Sequence, residues 1–149
     1  MGTKRFRLLS TVHLFLIREG HILLLRRFNT GYEDGNYSVI AGHMDGGEEI
    51  KLAMIREARE EAGIKLAKED LEVVGVMHRK STEERVDFFL AATSWSGEII
   101  NNEPDKCDEL AWFSLDMLPE NVIPYVRRAI DNSIVHPHDI WFESFGWED

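Results

Sequence analysis

Residues 42–64 read GHMDGGEEIKLAMIREAREEAGI. Five glutamates fall between Glu48 and Glu61, and Glu57, Glu60 and Glu61 crowd its end. The pattern predicts a helix over 49–62 with Gly63 as its stop. At ~100° per residue, Leu52, Ile55, Ala58 and Ala62 share one side, the expected core face. Glu57, Glu60 and Glu61 share the other, within about 100° of arc. Like charges at i+3 and i+4 disfavour the helix by a few tenths of a kcal/mol each. Hard divalent cations with oxygen ligands relieve such repulsion, and Mg²⁺ is the usual one where phosphates complete its shell. Arg56 stands at the edge of the acidic face, placed to orient a carboxylate by a bidentate ion pair. Gly42, Gly46 and Gly47 let the preceding loop fold back, so that Glu48 and main-chain carbonyls approach the same ion. The plainer alternative is a solvated acidic helix face.

Composition narrows the class. The chain has 149 residues, 44% of them hydrophobic, enough for one domain spanning 1–149 with a real core. Seventeen basic against 27 acidic residues give a net charge of −10. That balance argues against bulk nucleic acid as a partner, because phosphate-backbone binders are normally basic. Small phosphorylated substrates remain compatible, since a bound metal inverts the local charge. The single Cys107 excludes an internal disulfide and a zinc cluster, which suits a reducing cytoplasm. MGTKRFRLLSTVHLFLI has the basic start of a leader peptide but interrupts its apolar run with Ser10, Thr11 and His13. It shows no small-residue cleavage site, so no leader is expected. Phe6 stands where N-myristoylation wants Ser or Thr. No run is long enough to span a membrane.

The rest of the chain reads as strands with a second helix. Leu9 to Ile17 is apolar at both parities, a strand covered on both faces. REGH is a turn, and Ile22 to Leu25 its hairpin partner. Residues 29–36 form a polar, glycine-punctuated loop, and YSVIA (37–41) a short strand. LEVVGVM and RVDFFLAAT add two strands, 97–109 is a polar loop, and LAWFSL is another strand. NVIPYVRRAIDNSI is a helix, with Asn121 at the expected cap position and Pro124 tolerated in the first turn. The mixed order predicts an α/β fold with both faces of a mixed sheet covered.

The 42–64 stretch is similar to the Nudix box, G-x5-E-x7-R-E-U-x-E-E-x-G-U, with U bulky or apolar. Gly42, Glu48, Arg56, Glu57, Glu60, Glu61, Gly63 and Ile64 occupy the required places, and Ala58 is a small residue at the first U. The resemblance implies an α/β/α sandwich with a loop–helix–loop catalytic motif. It implies hydrolysis of a diphosphate linked to another moiety, typically a nucleoside. Glu57 and Glu61 would be the principal Mg²⁺ or Mn²⁺ ligands. Glu60 and Glu48 would complete the cluster directly or through water, the Gly42 carbonyl would be a further ligand, and Arg56 would hold the carboxylates. A homodimer is also compatible with the family. One departure is Ile40, where the family commonly has a proline two residues before the box glycine.

The chemistry agrees. A diphosphate repels hydroxide; divalent ions cancel that charge and lower the pKa of a bound water, and a carboxylate must take the water's proton. Glu103, in NNEPDKCDE, is the candidate extra ligand or general base. Arg27 could meet a substrate phosphate, though a surface arginine is the commoner outcome. Trp112 and Phe113 read as core in preference to base-stacking residues. HPHD (136–139) reads as a surface turn, and the aromatic tail 141–147 as packed on the domain. The function expected is metal-dependent hydrolysis of a nucleoside di- or triphosphate, damaged nucleotides included. The alternatives are a nucleotide sugar of the ADP-ribose type or a dinucleoside polyphosphate as substrate. From another class comes a non-catalytic, nucleotide-sensing Nudix module, which usually loses box glutamates that this chain keeps.

Overall fold

The computed structural model describes residues 4–148. Met1–Thr3, the start of the segment read for a leader and for myristoylation, lie outside the described residues. No helix among the described residues is long and apolar enough to cross a membrane.

Strand β1 (Leu9–Arg18) turns through Glu19–Gly20 into β2 (His21–Arg27), as the REGH turn predicts. YSVIA divides at Val39 into β3 (Tyr37–Ser38), which pairs with β2, and β4 (Ile40–His43), which pairs with β1. Helix α1 covers Ile50–Ala62, followed by a short 3₁₀ turn and by β5 (Glu72–Lys80) and β6 (Glu84–Ala92). Then come β7 (Cys107–Ser114), α2 (Pro124–Val135) and β8 (Trp141–Phe145). β1 is central: it pairs in parallel with β6, antiparallel with β4, and at its end with β2. β7 joins β2, and β8 joins β5 in parallel, so the aromatic tail is an edge strand of a mixed sheet. His136–Asp139 form the exposed turn between α2 and β8.

The two helices cover opposite faces, giving the α/β/α layering that the resemblance implies. On one face Val12, Leu14, Leu16 and Leu90 pack with Met54 and Ala58 of α1. On the other Phe15, Met77 and Phe89 pack with Val126 and Ile130 of α2. The parity of β1 sorts these residues, because successive side chains point to opposite faces.

Three expectations need correction. Leu52 is 43% exposed, while Ala53 and Met54 are fully buried. The buried stripe is Ala53, Met54, Ala58 and Ala62, with Ile55 only partly covered against it. The helix is therefore turned roughly a quarter revolution from the expected phase. The cause is size: Ala53, Ala58 and Ala62 let α1 lie close to the sheet, and one Met fills the gap better than a leucine stripe. The turn carries Glu57 and Glu61 inward, beside the apolar face and not opposite it. Second, Asn121 does not cap α2: Ile123 precedes the helix, and the Asn121 side chain donates to the Gly35 carbonyl at 2.8 Å, tying down the 29–36 loop. Third, Cys107–Glu109 belong to β7, so the polar loop ends earlier than expected.

The corrected phase makes a direct prediction. Met54→Ala should cost about 2–5 kcal/mol of unfolding free energy in urea titrations. Leu52→Ala should stay within about 0.5 kcal/mol of the wild type; the reverse order would restore the first phase.

Candidate active site

Arg56 gathers the loop and the helix. Its Nη2 donates to Glu48 Oε1 at 2.6 Å, and its Nε to the same carboxylate at 3.1 Å, the bidentate pair anticipated. Its Nη1 donates to Glu57 Oε1 at 2.8 Å, and Nη2 also reaches the His43 carbonyl at 3.3 Å. The hydrogen bonds to Glu48 raise the Arg56 pKa against the opposing effect of burial, with Glu57 adding to the rise. The same pairing lowers the Glu48 pKa. The loop reaches this position because Gly46 and Gly47 adopt φ of 83° and 74°, open only to residues without a Cβ clash. Gly42 is favoured for another reason: a methyl group there would overlap the Glu57 carboxyl group where Arg56 holds it.

A cleft of about 610 Å³ opens beside this cluster. Glu57, Glu61, Glu103 and Gly42 line it, whereas Glu48, Glu60 and Arg56 do not. Glu60 is half exposed, with its carboxylate 3.5 Å from Arg56. Burial pushes the Glu61 carboxyl well above the ordinary carboxylate range; Glu57 and then Glu103 add to it, and the Ala41 amide opposes. Among the described residues, no three acidic, histidine or cysteine side chains already close on a single ion. The donor set is nonetheless all oxygen, and Glu57 and Glu103 raise the proton affinity of Glu61, which is the repulsion a hard divalent cation relieves. Glu103 is set by its loop: its amide donates to Asn101 Oδ1 at 3.1 Å, and its carbonyl accepts from the Lys106 and Cys107 amides.

The sequence reading missed the polar floor of the cleft. Asp87 is fully buried; it accepts from Thr11 Oγ1 and from Arg79, whose Nε lies at 2.6 Å. Burial alone would raise Asp87, but Arg79, His13 and Thr11 hold it below the usual range. The Arg79 guanidinium lies over the Tyr125 ring at 3.6 Å, and the Tyr125 hydroxyl is 3.0 Å from His13 Nε2. His13 Nδ1 is buried with no hydrogen-bond partner. The signal available was one polar residue set inside each apolar strand: His13 in TVHLFL and Asp87 in VDFFL. Arg27 does line the cleft, its Nε bound to the Tyr32 carbonyl at 2.7 Å. Trp112 and Phe113 do not: Trp112 stacks on Trp95 with centroids 6.0 Å apart, and Phe113 meets Tyr37 edge-on.

Comparison with known proteins agrees with this geometry. The NUDIX domain profile matches residues 7–132. NAD-capped RNA hydrolase NudC of Pseudomonas aeruginosa is 34% identical over 118 residues, which cover 79% of this chain and 41% of that protein. The enzyme of the same name from Photorhabdus laumondii is 33% identical over 122 residues, covering 79% and 44%. The chain thus spans under half the length of the curated relatives it matches. The crystal structure of the MutT NUDIX hydrolase from Burkholderia pseudomallei superposes with a TM-score of 0.78 at 29% identity, covering 85% of this chain and 98% of that one. The chain belongs to the NUDIX family. Members of that family generally depend on divalent metal ions.

The floor of the cleft sets a pH dependence. Burial, with Arg79 and Arg85 adding and Asp87 opposing, lowers the His13 pKa from 6.5 to about 4. The unfolded chain takes up this proton first, so the contribution is intact above pH 6.5 and is lost as pH falls toward 4. The wild type should lose roughly 3 kcal/mol more across that window than His13→Gln. Equal slopes in denaturant titrations at several pH values would show that His13 does not titrate as described.

Proposed function

We propose that this chain hydrolyses a diphosphate linkage in a nucleotide-type small molecule with the help of Mg²⁺ or Mn²⁺. The observation that carries the reading is the placement of Glu57 and Glu61 side by side in the wall of the cleft, with Glu57 against the main chain of Gly42. In this reading Glu57, Glu61 and the Gly42 carbonyl hold the ion. Glu48 and Glu60 complete the set directly or through water. The ion would offset phosphate charge and lower the pKa of an attacking water.

The residues of the chain supply the rest. Arg56 fixes Glu57 and Glu48, so their orientation is set before substrate arrives. Glu103, in the same cleft on the loop whose main chain is bound to the end of α1, would accept the proton of the attacking water. Arg27 and Lys106 line the same cleft and bring positive charge to the phosphates.

Two substrate readings stand. A nucleoside di- or triphosphate is the reading that the resemblance of the box favours. A dinucleotide diphosphate of the NAD type is favoured by the likeness to NudC, at 34% identity. The name of that relative also includes RNA, whereas the net charge of −10 disfavours bulk nucleic acid as a partner of this chain. A homodimer and a cytoplasmic location remain proposals; light scattering checks the first.

Activity on a panel of nucleoside triphosphates, ADP-ribose and NAD⁺ should require added Mg²⁺ or Mn²⁺ and vanish in excess chelator. Glu61→Gln should lower kcat by roughly 10²–10³, the effect of losing one transition-state-stabilising group. Glu103→Gln should lower kcat while metal affinity, read by calorimetry, is retained. Wild-type turnover in Glu61→Gln would remove Glu61 from the metal site. Nucleotide binding by the wild type without phosphate or pyrophosphate release under any metal would favour the sensing module.

A further inference from the structure

The cleft extends well past the carboxylates. Thr11 of β1 stands between His43 of β4 and Asp87 of β6, and Arg85 of β6 faces Arg79 of β5. Travel from β4 to β6, which carries Arg85 and the Asp87 that holds the Arg79 guanidinium, crosses two interstrand spacings, ~10 Å at ~4.8 Å each. Glu57 and Glu61 lie at the β4 end, Arg79 and Arg85 at the β5–β6 end, and all four line one cleft.

The charges at the far end do not cancel. Among the described residues, Asp87 is the one carboxylate buried there, and it is used up on Arg79 and Thr11. The nearest acid to Arg85 is Glu83, 3.6 Å away and mostly exposed, which is a weak surface contact. Arg85 Nε is buried and makes no hydrogen bond. A buried donor without a partner is uncommon and costs stability unless something fills its place. Ser81 and Thr82 line the same end. Arg79 is locked between Asp87 and the Tyr125 ring, so its guanidinium is set in advance, and both arginines act electrostatically on His13.

We propose that Arg79 and Arg85 form a second anion subsite, which takes a phosphate carried on the sugar of the substrate nucleotide, outside the diphosphate that is cleaved. This rests on the hydrolase reading above for the position of the diphosphate. The planar fork of arginine matches phosphate oxygens. The ~10 Å separation of the two ends is too long for neighbouring phosphates of one diphosphate and suits a nucleoside between two phosphate groups. Such an arrangement selects nucleotides bearing a 2′- or 3′-phosphate, as a monoester or as a diester to a further nucleotide, over the same compounds without it.

Three compounds test it: NAD⁺, NADP⁺ with its 2′-phosphomonoester, and NAD⁺ extended by one nucleotide through a 3′-phosphodiester. The wild type should prefer at least one phosphorylated compound over NAD⁺ by about tenfold in kcat/KM, as one charge-assisted pair provides. Which compound is preferred separates monoester from diester. Arg85→Gln, at a partly exposed site, should abolish that preference and leave kcat/KM for NAD⁺ unchanged. Equal kcat/KM for all three in the wild type overturns the proposal. So does an equal loss on all three in Arg85→Gln. If the wild type hydrolyses none of them, the hydrolase reading fails for this substrate class by itself. The ratio of dissociation constants for the same compounds, measured by calorimetry, then decides the subsite, and a ratio near one or no binding at all overturns it.

Discussion

The contact of Arg56 with the Glu48 and Glu57 carboxylates is the constraint on which the site depends. One planar cation joins a loop residue, a helix residue and the His43 carbonyl of a strand. Without it, Glu48 and Glu57 would repel across the loop, and Glu57 would lose the cation that orients it. Lysine cannot replace it in kind, because a single ammonium lacks the fork that serves two carboxylates at once. Gly42 follows from the same contact, since the space a side chain would need is already filled by the Glu57 carboxyl group.

The turn of α1 is the second determinant. Three alanines let the helix settle close to the sheet, and that approach brings Glu57 and Glu61 to the inner side. Burial there raises the proton affinity of Glu61, and the neighbouring Glu57 and Glu103 carboxylates reinforce it. Tight packing and concentrated charge have one geometric origin. The sandwich completes the arrangement, because the sheet face beneath α2 runs on beyond its apolar core to become the floor of the cleft.

Much of this was legible in the sequence. The box spacing identified the helix, the loop and the Arg56 pair, and the apolar run of β1 announced a strand covered on both sides. The helix phase was not legible, because Leu52 and Met54 are comparably apolar and only the closeness of the sheet chooses between them. Asn121 looked like a cap, but a carbonyl 86 residues away in sequence captured its side chain. The cleft floor was least legible. His13, Arg79, Asp87 and Tyr125 sit on separate elements, each unremarkable in its own window, and they meet only through strand pairing. A site made from one continuous motif can be read locally, and a site made by a sheet cannot.

The pairing of β1 with β6 has a consequence for synthesis. Thr11 and Asp87 are 76 residues apart, and the strands that carry them lie parallel. A parallel pair cannot close through a tight hairpin, so the chain must search for this contact across a long loop. As the polypeptide leaves the ribosome, β1, β2 and α1 emerge first with the face of β1 uncovered. The first strands spend that interval with an open edge, and a chaperone that shields β1 until β6 arrives would protect the sheet from pairing with another chain.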